Sequence, residues 1–267
     1  MALDISRPNP GRVYDYLLGG THNFEADRQQ GENFKEILPG WDIGAQLGRR
    51  CLSKAARYLA ELGHEYFVDF ASGLPTQDNV HQAVRSIRPR CKVIYSDVDP
   101  LTMAYSMEIL GDTPNVRYIH CDAAEPEEML EHSTLRALFG NQHKVAFTFM
   151  GVSYFLSDVN LRHALEVLHE WAAPGSHLAL SFIVPVRGIT PMVKQVQDTF
   201  AQQLNQTFYL RSAKELLALT GAWREFGPGI QPYDVYVPPS HMPEISDPAV
   251  REEAVANIRG HVAFFEW

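Results

Sequence analysis

Three aspartates recur at nearly equal intervals in the first half of the chain, each after a short apolar run. Asp69 ends the run YFVD, Asp97 follows KVIYS, and Asp122 follows VRYIHC. The separations of 28 and 25 residues each match one strand–helix unit, so we expect the carboxylates to lie at the same end of neighbouring parallel strands. Carboxylates in that position can accept hydrogen bonds from hydroxyls or amines and can pair with cations. The pattern predicts a crevice for a nucleotide-like cofactor.

The three aspartates also have a purely structural interpretation, because an aspartate after a strand is often the N-cap of the next helix. Each of them alone is explained in that way. Three of them in step favour a ligand over three ordinary caps. Asp99, directly before Pro100, is instead interpreted as a helix cap.

The turn after the first aspartate distinguishes two classes of adenosine cofactor. Residues 71–76 are ASGLPT, so the G-x-G-x-x-G pattern of dinucleotide sites fails at its first and third glycine. A pyrophosphate also prefers an uncharged turn, whereas Asp69 adds a negative charge beside it. S-adenosylmethionine carries a sulfonium and an ammonium group and no phosphate. In that interpretation Asp69 attracts the cations, Asp97 accepts from both ribose hydroxyls, and Asp122 accepts from the adenine amine.

Apolar runs and helical patterns alternate along the chain and place these aspartates at strand ends. A helix over 77–87, capped by Thr76 or Asp78, is expected after the first strand. We predict strands at 66–70, 92–95, 116–120, 144–150, 176–184, 223–226 and 261–267. Five alternations are typical of a doubly wound parallel sheet with right-handed crossovers. The last two strands suit an antiparallel hairpin at one edge, with a proline-rich irregular insertion near 227–259 between them.

Three of the expected helices carry finer predictions. A single helix is expected from near Pro126 to about Phe139, and Asp158 is expected to cap the helix of the following unit. Met103 and Met107, four residues apart on one helix, are expected to face the core.

The first 63 residues are too polar and too punctuated to begin the sheet, and their patterns indicate helices. A short helix over 13–18 ends at Gly19-Gly20, a second runs to Leu38, and a third spans 43–62 with one apolar face. We expect residues 1–63 to form a helical cap on an α/β core of residues 64–267. Residues 12–28 are predicted to fold over the mouth of the crevice and exclude water. The alternative is a brace without a role in the site.

Composition limits the partners of the protein. The formal net charge of the 267 residues is −9 and no lysine or arginine run occurs, so nucleic acid is not indicated. The 3 cysteines are widely spaced and are interpreted as reduced thiols. Neither a signal peptide nor a stretch of about 20 apolar residues is evident, so we expect a cytoplasmic protein without a membrane anchor. The histidines and cysteines form no metal-binding motif, and no metal is expected.

The string RVYDYLLGG at residues 12–20 is unusual. Shorter motifs accompany it along the chain. They are NF at 23–24, DR at 27–28, GLPT at 73–76, NVH at 79–81, Asp97, DP at 99–100, Asp122, FY at 208–209 and RS at 211–212. Together they resemble a bacterial family of S-adenosylmethionine-dependent methyltransferases that is abundant in actinobacteria and was formerly catalogued as a domain of unknown function. The resemblance covers essentially the whole chain.

This resemblance implies an α/β fold of the class I methyltransferase (Rossmann-like) type. Such a fold has a doubly wound, mostly parallel seven-stranded sheet, here with an N-terminal helical extension. The chain departs from the family at two places. Ala71 stands where the family usually has glycine, and Ser153-Tyr154 stands where Leu-His is expected. No histidine role is therefore carried over to the segment after the fourth strand.

The resemblance also implies the residues that hold the cofactor. It has Asp69 and Gly73 in the first cofactor motif, with Asp97 at the ribose and Asp122 near the adenine. The full set expected at the cofactor is Asp69, Ala71, Ser72, Gly73, Asp97, Val98, Asp122, Ala123, Met150, Gly151, Tyr14, Tyr16, Gly19 and Asn23.

No catalytic residue follows from a motif. Methyl transfer is an in-line displacement at a sulfonium carbon that depends mainly on positioning, and a base is needed only if the nucleophile carries a proton. The segment after the fourth strand lacks an Asn/Asp-Pro-Pro-aromatic motif, so an amide or nucleobase nitrogen is not indicated as the acceptor. Candidates for orienting the substrate are Tyr154, His22 and Tyr16.

We therefore expect an S-adenosylmethionine-dependent methyltransferase that acts on a small molecule and leaves S-adenosylhomocysteine as its product. Two alternatives stay open. One is a noncatalytic protein that binds either adenosyl compound, suggested by the lack of a recognisable base. The other is a nicotinamide-dependent oxidoreductase, which the glycine turn disfavours. The N-terminal helices and the 227–259 insertion are expected to shape the substrate pocket.

Overall fold

The computed structural model of the chain describes residues 5–243 and 248–267. Its strands are β1 Tyr66–Asp69, β2 Lys92–Asp97, β3 Val116–His120, β4 Ala146–Phe149, β5 His177–Pro185, β6 Arg224–Pro232 and β7 Ile258–Glu266. These seven described strands form one sheet in the order β3-β2-β1-β4-β5-β7-β6. Strands β1 to β5 pair in parallel, and β7 runs antiparallel between β5 and β6. The predicted doubly wound sheet with an antiparallel hairpin at one edge is confirmed.

Helices cover both faces of this sheet. They are α1 Pro10–Leu17, α2 Glu25–Ile37, α3 Trp41–Glu61, α4 Val80–Arg85, α5 Pro100–Leu110, α6 Glu127–Leu130, α7 Ser133–Phe139, α8 Asp158–Trp171, α9 Pro191–Gln203, α10 Ala213–Leu217, α11 Tyr233–Tyr236 and α12 Pro248–Asn257. Single 3₁₀ turns lie at Ser153–Phe155 and Pro239–His241. Among the described helices, none has the length and apolar composition that a membrane span requires.

Neighbouring residues of β1 point to opposite faces and bury the sheet on both sides. Phe67 packs in an apolar cluster with residues of α3 and α4, whereas Val68 packs in a second cluster with residues of α8. Both side chains are fully buried. A strand covered by helices on both faces has an apolar residue at each position, and this explains the continuous apolar run before Asp69.

The strand order reverses next to β1, which lies between β2 and β4. From β1 the chain forms β2 and β3 on one side, and it then returns to form β4 and β5 on the other side. The carboxyl ends of the strands open at this point, since no crossover helix covers both sides. Asp69 and Asp97 end β1 and β2, so the fold brings the first two predicted aspartates to this opening.

The predicted helix over 77–87 is wrong at its start. Residues 74–79 form an irregular loop, and α4 begins only at Val80 with Asn79 as its N-cap. The Nδ2 of Asn79 donates to the Pro75 carbonyl at 2.8 Å, and Asp78 has a positive φ of 48°. These features turn the backbone away from helical geometry before Val80.

Other predictions of helices need correction as well. The single helix predicted after Pro126 is two short helices, α6 and α7, and Ser157 rather than Asp158 caps α8 through a bond to the Asn160 amide. Met107 is 54% exposed, so the predicted apolar face of α5 does not point to the core. Instead, α5 buries the small hydroxyl residues Thr102 and Ser106.

The predicted insertion near 227–259 is more regular than expected. Its first residues extend β6 to Pro232, with a register shift between Glu225 and Ile230, and α11 and α12 follow. Residues 244–247 of this insertion and residues 1–4 of the predicted cap lie outside the described residues.

The segment before β1 divides into two parts. Helices α1 and α2 pack with α9 in an apolar cluster that includes Val13, Phe34 and Phe200. Helix α3 packs on the sheet, where Leu52 and Ala55 belong to the same apolar cluster as Phe67. The contacts of α3 thus make it part of the core, whereas α1 and α2 belong to a separate apolar cluster with α9.

Candidate active site

A cavity of about 550 Å³ lies at the carboxyl ends of the strands. We call one part of it the polar half, lined by Arg49, Asp69, residues 71–73, Asp97, Val98, Asp122 and Ala123. We call the other part the aromatic half, lined by Tyr14, Phe34, Trp41, Tyr154, Phe155, Ile183, Phe200, Leu204 and Phe208. A cavity of this size is within the range of small-molecule sites in proteins.

Asp69 is buried at the end of β1 and faces the cavity. Its Oδ1 accepts a hydrogen bond from the Thr148 hydroxyl at 2.5 Å. Burial raises the pKa of Asp69 to about 6, although the Thr148 bond and the positive charge of Arg49 act in the opposite direction. A carboxylate in this setting is stabilised by a cationic group placed beside it.

The turn at 71–73 is fixed by hydrogen bonds from Ser72 to β1 and β2. The Ser72 amide donates to the Ser96 carbonyl at 2.7 Å, and the Ser72 hydroxyl donates to the Asp69 carbonyl at 2.8 Å. Ala71 has a φ of 50° and Gly73 a φ of 62°. A left-handed conformation favours glycine, so the alanine in place of the family glycine holds local backbone strain at the cavity wall.

Asp97 ends β2 on the other side of this turn. Its Oδ2 accepts from the Gly73 amide at 3.1 Å, and its Oδ1 accepts from the Asp99 amide at 3.0 Å. Burial raises the pKa of Asp97, while these backbone bonds lower it. Asp97 lines the cavity, and a carboxylate has acceptor positions beyond these backbone bonds, so it is suited to a pair of hydroxyl groups.

Asp122 lies beyond β3 and is more exposed than the other two aspartates. Its Oδ1 accepts from the Ala124 amide at 2.9 Å. It lines the same cavity as Val98 and Ala123, whose apolar side chains form adjacent walls. The structure therefore brings all three strand-end aspartates to one cavity. Asp99, by contrast, caps α5 through the amides of Leu101 and Thr102, in agreement with its interpretation as a cap.

Arg49 on α3 was not predicted as a site residue. Its Nε donates to the Gln77 carbonyl at 2.7 Å, and its Nη2 bonds the Asn79 side chain. It is buried, lines the polar half, and contributes positive charge at Asp69. No sequence signal distinguishes it from Arg50, whose guanidinium bonds the His241 carbonyl.

The segment after β4 is anchored to β5 and carries Tyr154 into the cavity. The Gly151 amide donates to the Ser181 hydroxyl at 2.7 Å, and the Ser153 hydroxyl bonds the Ser181 carbonyl. Met150 and Gly151, which were predicted to bind the cofactor, line the cavity at this point. Burial raises the pKa of Tyr154, so its hydroxyl stays protonated at neutral pH.

Arg211 fixes the same segment from the other side. Its Nη1 donates to the Ser153 carbonyl at 2.8 Å and its Nη2 to the Leu156 carbonyl at 2.6 Å. Its Nε bonds Asp158 at 2.9 Å, and the Tyr209 amide donates to the Tyr154 carbonyl at 2.7 Å. The FY and RS motifs at 208–212 therefore position the wall that carries Tyr154.

Six aromatic rings form the wall of the aromatic half. They come from α2, α3, α9, the segment after β4 and the segment before α10: Phe34, Trp41, Tyr154, Phe155, Phe200 and Phe208. Phe200 and Phe208 stack with centroids 4.7 Å apart, and Tyr154 meets Phe155 edge-on at 4.8 Å. These rings hold one another in fixed orientations, so the wall is preformed.

Tyr14, Val13 and Leu17 are the described members of the unusual N-terminal string that line the cavity, and Tyr14 is the polar one. Its hydroxyl donates to the Ala45 carbonyl at 3.1 Å, and burial raises its pKa to about 12. Tyr14 and Tyr154 both line the cavity.

The other N-terminal residues that were predicted as site residues do not line the cavity. The Tyr16 hydroxyl donates to Glu32 at 2.5 Å, and Asn23 donates to Asp15 at 2.9 Å. Gly19 and His22 line a separate surface groove beside Thr76, Gln77 and Ile109. The structure therefore does not bring Tyr16, Gly19, His22 and Asn23 together with the strand-end aspartates.

The remaining residues of the string have structural partners. Arg12 forms a buried ion pair with Asp27, with 2.8 Å between Nε and Oδ2. Asp27 also accepts from the amides of Phe24 at 2.8 Å and Asn9 at 2.9 Å. These bonds join α1 to α2. The string is thus unusual mainly because it builds the α1–α2 pair that carries Tyr14.

One group of metal-ligand residue types occurs among the described residues, away from the cavity. Glu125, Glu127 and His163 each offer one ligand atom, and these atoms lie within 4.8 Å of one another. His163 Nε2 is 2.9 Å from Glu127 Oε1. The group is partly exposed and joins α8 to the start of α6.

Comparisons with known proteins agree with this geometry. The profile of the S-adenosyl methyltransferase family matches residues 1–261. A candidate methyltransferase from Thermobifida fusca YX is 28% identical, with a TM-score of 0.85 over 99% of this chain and 97% of that chain. A DUF574 family protein from Streptomyces avermitilis MA-4680 is 26% identical, with a TM-score of 0.81 over 97% of this chain and 98% of that chain. No curated protein matches the sequence.

A more distant solved structure shares the fold. It is an N-methyltransferase from Bradyrhizobium japonicum WM9 in complex with S-adenosylhomocysteine. It is 14% identical to this chain, with a TM-score of 0.51 over 96% of this chain and 98% of that chain.

Proposed function

Because the chain belongs to the S-adenosyl methyltransferase family, we propose that it transfers the methyl group of S-adenosylmethionine to a small molecule enclosed in the cavity. Both the predicted family and the predicted class I fold are confirmed. The finer assignments that follow, including the cofactor contacts and the nature of the acceptor, are part of the proposal.

The polar half suits the adenosyl part of the cofactor. In our proposal Asp97 accepts hydrogen bonds from both ribose hydroxyls, since it ends β2 at the cavity and has two carboxylate oxygens. Asp122 accepts from the exocyclic amine of adenine, and Val98 and Ala123 pack on the ring. A Cβ added at Gly73 would meet no atom within 4 Å, so the turn leaves open space for the cofactor.

The methionine part carries an ammonium and a carboxylate, and the polar half offers one charge for each. Asp69 pairs with the ammonium and Arg49 with the carboxylate in this assignment. A dinucleotide fits less well, because its pyrophosphate would lie beside the carboxylates of Asp69 and Asp97. This charge pattern supports an adenosyl cofactor that is cationic.

When bound, S-adenosylmethionine supplies an electrophilic methyl carbon on a sulfonium. The chain's own contribution is to enclose and orient the acceptor at that carbon. Tyr154 and Tyr14 supply hydroxyls at the junction of the two halves, and α1 covers the mouth and excludes water. Among the described residues that line the aromatic half, none is a histidine, glutamate or lysine. In this assignment the acceptor reacts through its own lone pair, and Asp234, which also lines the cavity, stays paired with Arg259.

One observation carries this proposal. The strand-end carboxylates and the aromatic rings of the aromatic half line one and the same cavity of about 550 Å³. Isothermal calorimetry with S-adenosylmethionine, S-adenosylhomocysteine and NAD tests it. We expect both adenosyl compounds to bind and NAD to give no heat. Binding of NAD without either adenosyl compound would contradict the proposal and favour an oxidoreductase.

A second measurement separates catalysis from binding alone. The protein is incubated with methyl-labelled S-adenosylmethionine and a small-molecule metabolite extract, and the label is followed by chromatography. Transfer of label to an extract component is the expected result. Tight binding with no transfer to any extract would instead support a noncatalytic adenosyl-binding protein.

A further inference from the structure

The aromatic half restricts the kind of molecule that can accept the methyl group. We propose that it admits an uncharged, flat, apolar molecule whose polar nucleophilic atom lies beside the hydroxyls of Tyr14 and Tyr154. This inference rests on the proposed function, because it concerns the acceptor of the same reaction.

The shape of the wall favours a flat molecule. Trp41 meets Phe208 with ring centroids 5.9 Å apart, and Phe155 lies 5.5 Å from Phe200. Of these rings, Trp41 and Phe155 keep part of their surface accessible, so they are the faces on which a ligand can pack. Aromatic faces gain most from a partner that is itself planar, through stacked or edge-on contact.

The charges of the wall disfavour an acidic acceptor. Of the described residues that line the cavity, Arg49 and Arg259 carry the positive charges. Arg259 already forms a two-fold contact with Asp234, at 2.8 Å for each nitrogen–oxygen pair. Arg49 lies in the polar half and is bonded to Gln77 and Asn79. A carboxylate or phosphate in the aromatic half would lose its hydration without gaining a cationic partner.

A cationic acceptor is disfavoured for a related reason. The carboxylate on this side of the cavity, Asp234, is paired with Arg259, and the bound cofactor places a sulfonium charge next to the acceptor. Tyr14 and Tyr154 line the cavity and are uncharged, and their raised pKa values keep them protonated. The Tyr14 hydroxyl donates to Ala45 and can accept from a polar atom of the ligand, whereas the Tyr154 hydroxyl can donate to one.

Three small molecules with related ring skeletons test this inference. Naphthol is flat and neutral, naphthoate is flat and anionic, and decalol is neutral but not flat. Each is titrated into the full chain saturated with S-adenosylhomocysteine. We expect naphthol to bind about tenfold tighter than either of the others, or more. We also expect naphthol to quench the emission of Trp41, and the quenching to be lost in Trp41→Phe.

A matched pair of variants locates the binding site. Gln206 lines the cavity at the aromatic half, whereas Gln203 at the end of α9 is exposed and does not line it. Gln206→Lys adds an ammonium beside the aromatic half, so it is expected to strengthen naphthoate binding several-fold. Gln203→Lys makes the same change in net charge and should leave naphthoate binding as in the unmodified protein.

Several results would overturn the inference. Naphthoate or decalol binding as tightly as naphthol would contradict the charge or the shape argument. An equal response of naphthoate to the two lysine variants would show that it binds elsewhere. Binding of S-adenosylhomocysteine without any binding of naphthol would contradict this inference alone. A lack of S-adenosylhomocysteine binding would contradict the proposed function and, with it, this inference.

Discussion

At the scale of single residues, Asp69 links the chemistry of the site to pH. Burial raises the pKa of its carboxyl to about 6, and the proposed partner of that carboxylate is a cation. Binding of the cofactor then requires the deprotonated form, which becomes scarce as the pH falls below 6. Burial raises the pKa of Asp97 as well, which acts in the same direction.

We therefore predict that S-adenosylhomocysteine binds about tenfold more weakly at about pH 5 than at about pH 8, because most of the Asp69 carboxyl is protonated at the lower pH. Asp69→Asn is the matched control, since it keeps the shape and cannot titrate. At pH 8, Asp69→Asn should bind S-adenosylhomocysteine more weakly than the unmodified protein does. Its affinity should also change less with pH. Calorimetric titrations across this range check both statements, and an affinity of the unmodified protein that rises at acidic pH would contradict them.

Residue by residue, the site was partly predictable. The strand-end aspartates were found because the carboxyl ends of parallel strands meet at one edge, so spacing in the sequence becomes proximity in space. Arg49 was missed because its partners are a loop carbonyl at Gln77 and the side chain of Asn79, which only the tertiary fold brings near it. Tyr16 and Tyr14 are two residues apart in one short helix, and only the packing of α2 decides which of them reaches the cavity.

At the scale of elements, Arg211 determines how the segment after β4 presents Tyr154. Its guanidinium satisfies two backbone carbonyls, of Ser153 and Leu156, and it is buried while its ionic partner Asp158 is largely exposed. Removing the guanidinium leaves both carbonyls without that donor. Removing the carboxylate of Asp158 affects only the exposed end of the contact.

Arg211→Ala is predicted to lower the free energy of unfolding by about 2–4 kcal/mol, from the loss of charge-assisted bonds to buried carbonyls. It should also speed amide hydrogen exchange at residues 153–156. Asp158→Ala serves as the comparison and should lower the free energy of unfolding by about 1 kcal/mol or less. Urea unfolding and exchange mass spectrometry measure the two effects. Unchanged exchange at 153–156 in Arg211→Ala would show that this arginine does not hold the segment.

The elements themselves were predicted well where the pattern is local. The strands follow from continuous apolar runs, and the ends of α1 and α5 follow from glycines and a capping aspartate. The loop at 74–79 was misassigned because Gln77 and Asp78 have no local feature that forbids a helix. Tertiary bonds from Arg49 and the Asn79–Pro75 bond fix that loop. The exposed methionine face of α5 was missed because this helix is apolar on its outer side as well.

At the scale of the whole molecule, a buried histidine pair lies at the opposite end of the sheet from the cavity. His64 Nε2 is 2.7 Å from His177 Nδ1, and His64 is 3% exposed. Burial lowers the pKa of His64 to about 3, and burial also lowers the pKa of His177. In the unfolded chain both take up protons near their ordinary pKa of about 6.5. The stability that neutral His64 contributes is present above pH 6.5 and is lost as the pH falls from 6.5 towards 3.

We predict that the free energy of unfolding falls between about pH 7.5 and pH 5, with about 1–2 kcal/mol of the loss due to His64. His64→Asn removes one titrating group and should reduce the loss. His241→Asn, at an exposed position, should leave the loss as it is in the unmodified protein. Urea unfolding at the two pH values gives both numbers, and an equal loss in His64→Asn and the unmodified protein would disprove this assignment.

The overall architecture was predicted because alternation of strands and helices leaves few possible topologies. The shape of the cavity was not, since its aromatic half combines residues from α2, α3, α9 and the segment after β4 that are far apart in the chain. The 227–259 insertion contributes Tyr233, Asp234 and Arg259 to the lining, consistent with its predicted role in shaping the pocket.

The most direct test of the account is a calorimetric titration of S-adenosylhomocysteine into the unmodified protein and into Asp97→Ala. If Asp97 accepts both ribose hydroxyls, the substitution weakens binding by about 1–3 kcal/mol, because the lost bonds have a charged acceptor. Asp112→Ala, in an exposed turn outside the cavity, should bind as tightly as the unmodified protein. Unchanged affinity in Asp97→Ala would contradict the assignment of the polar half to the cofactor.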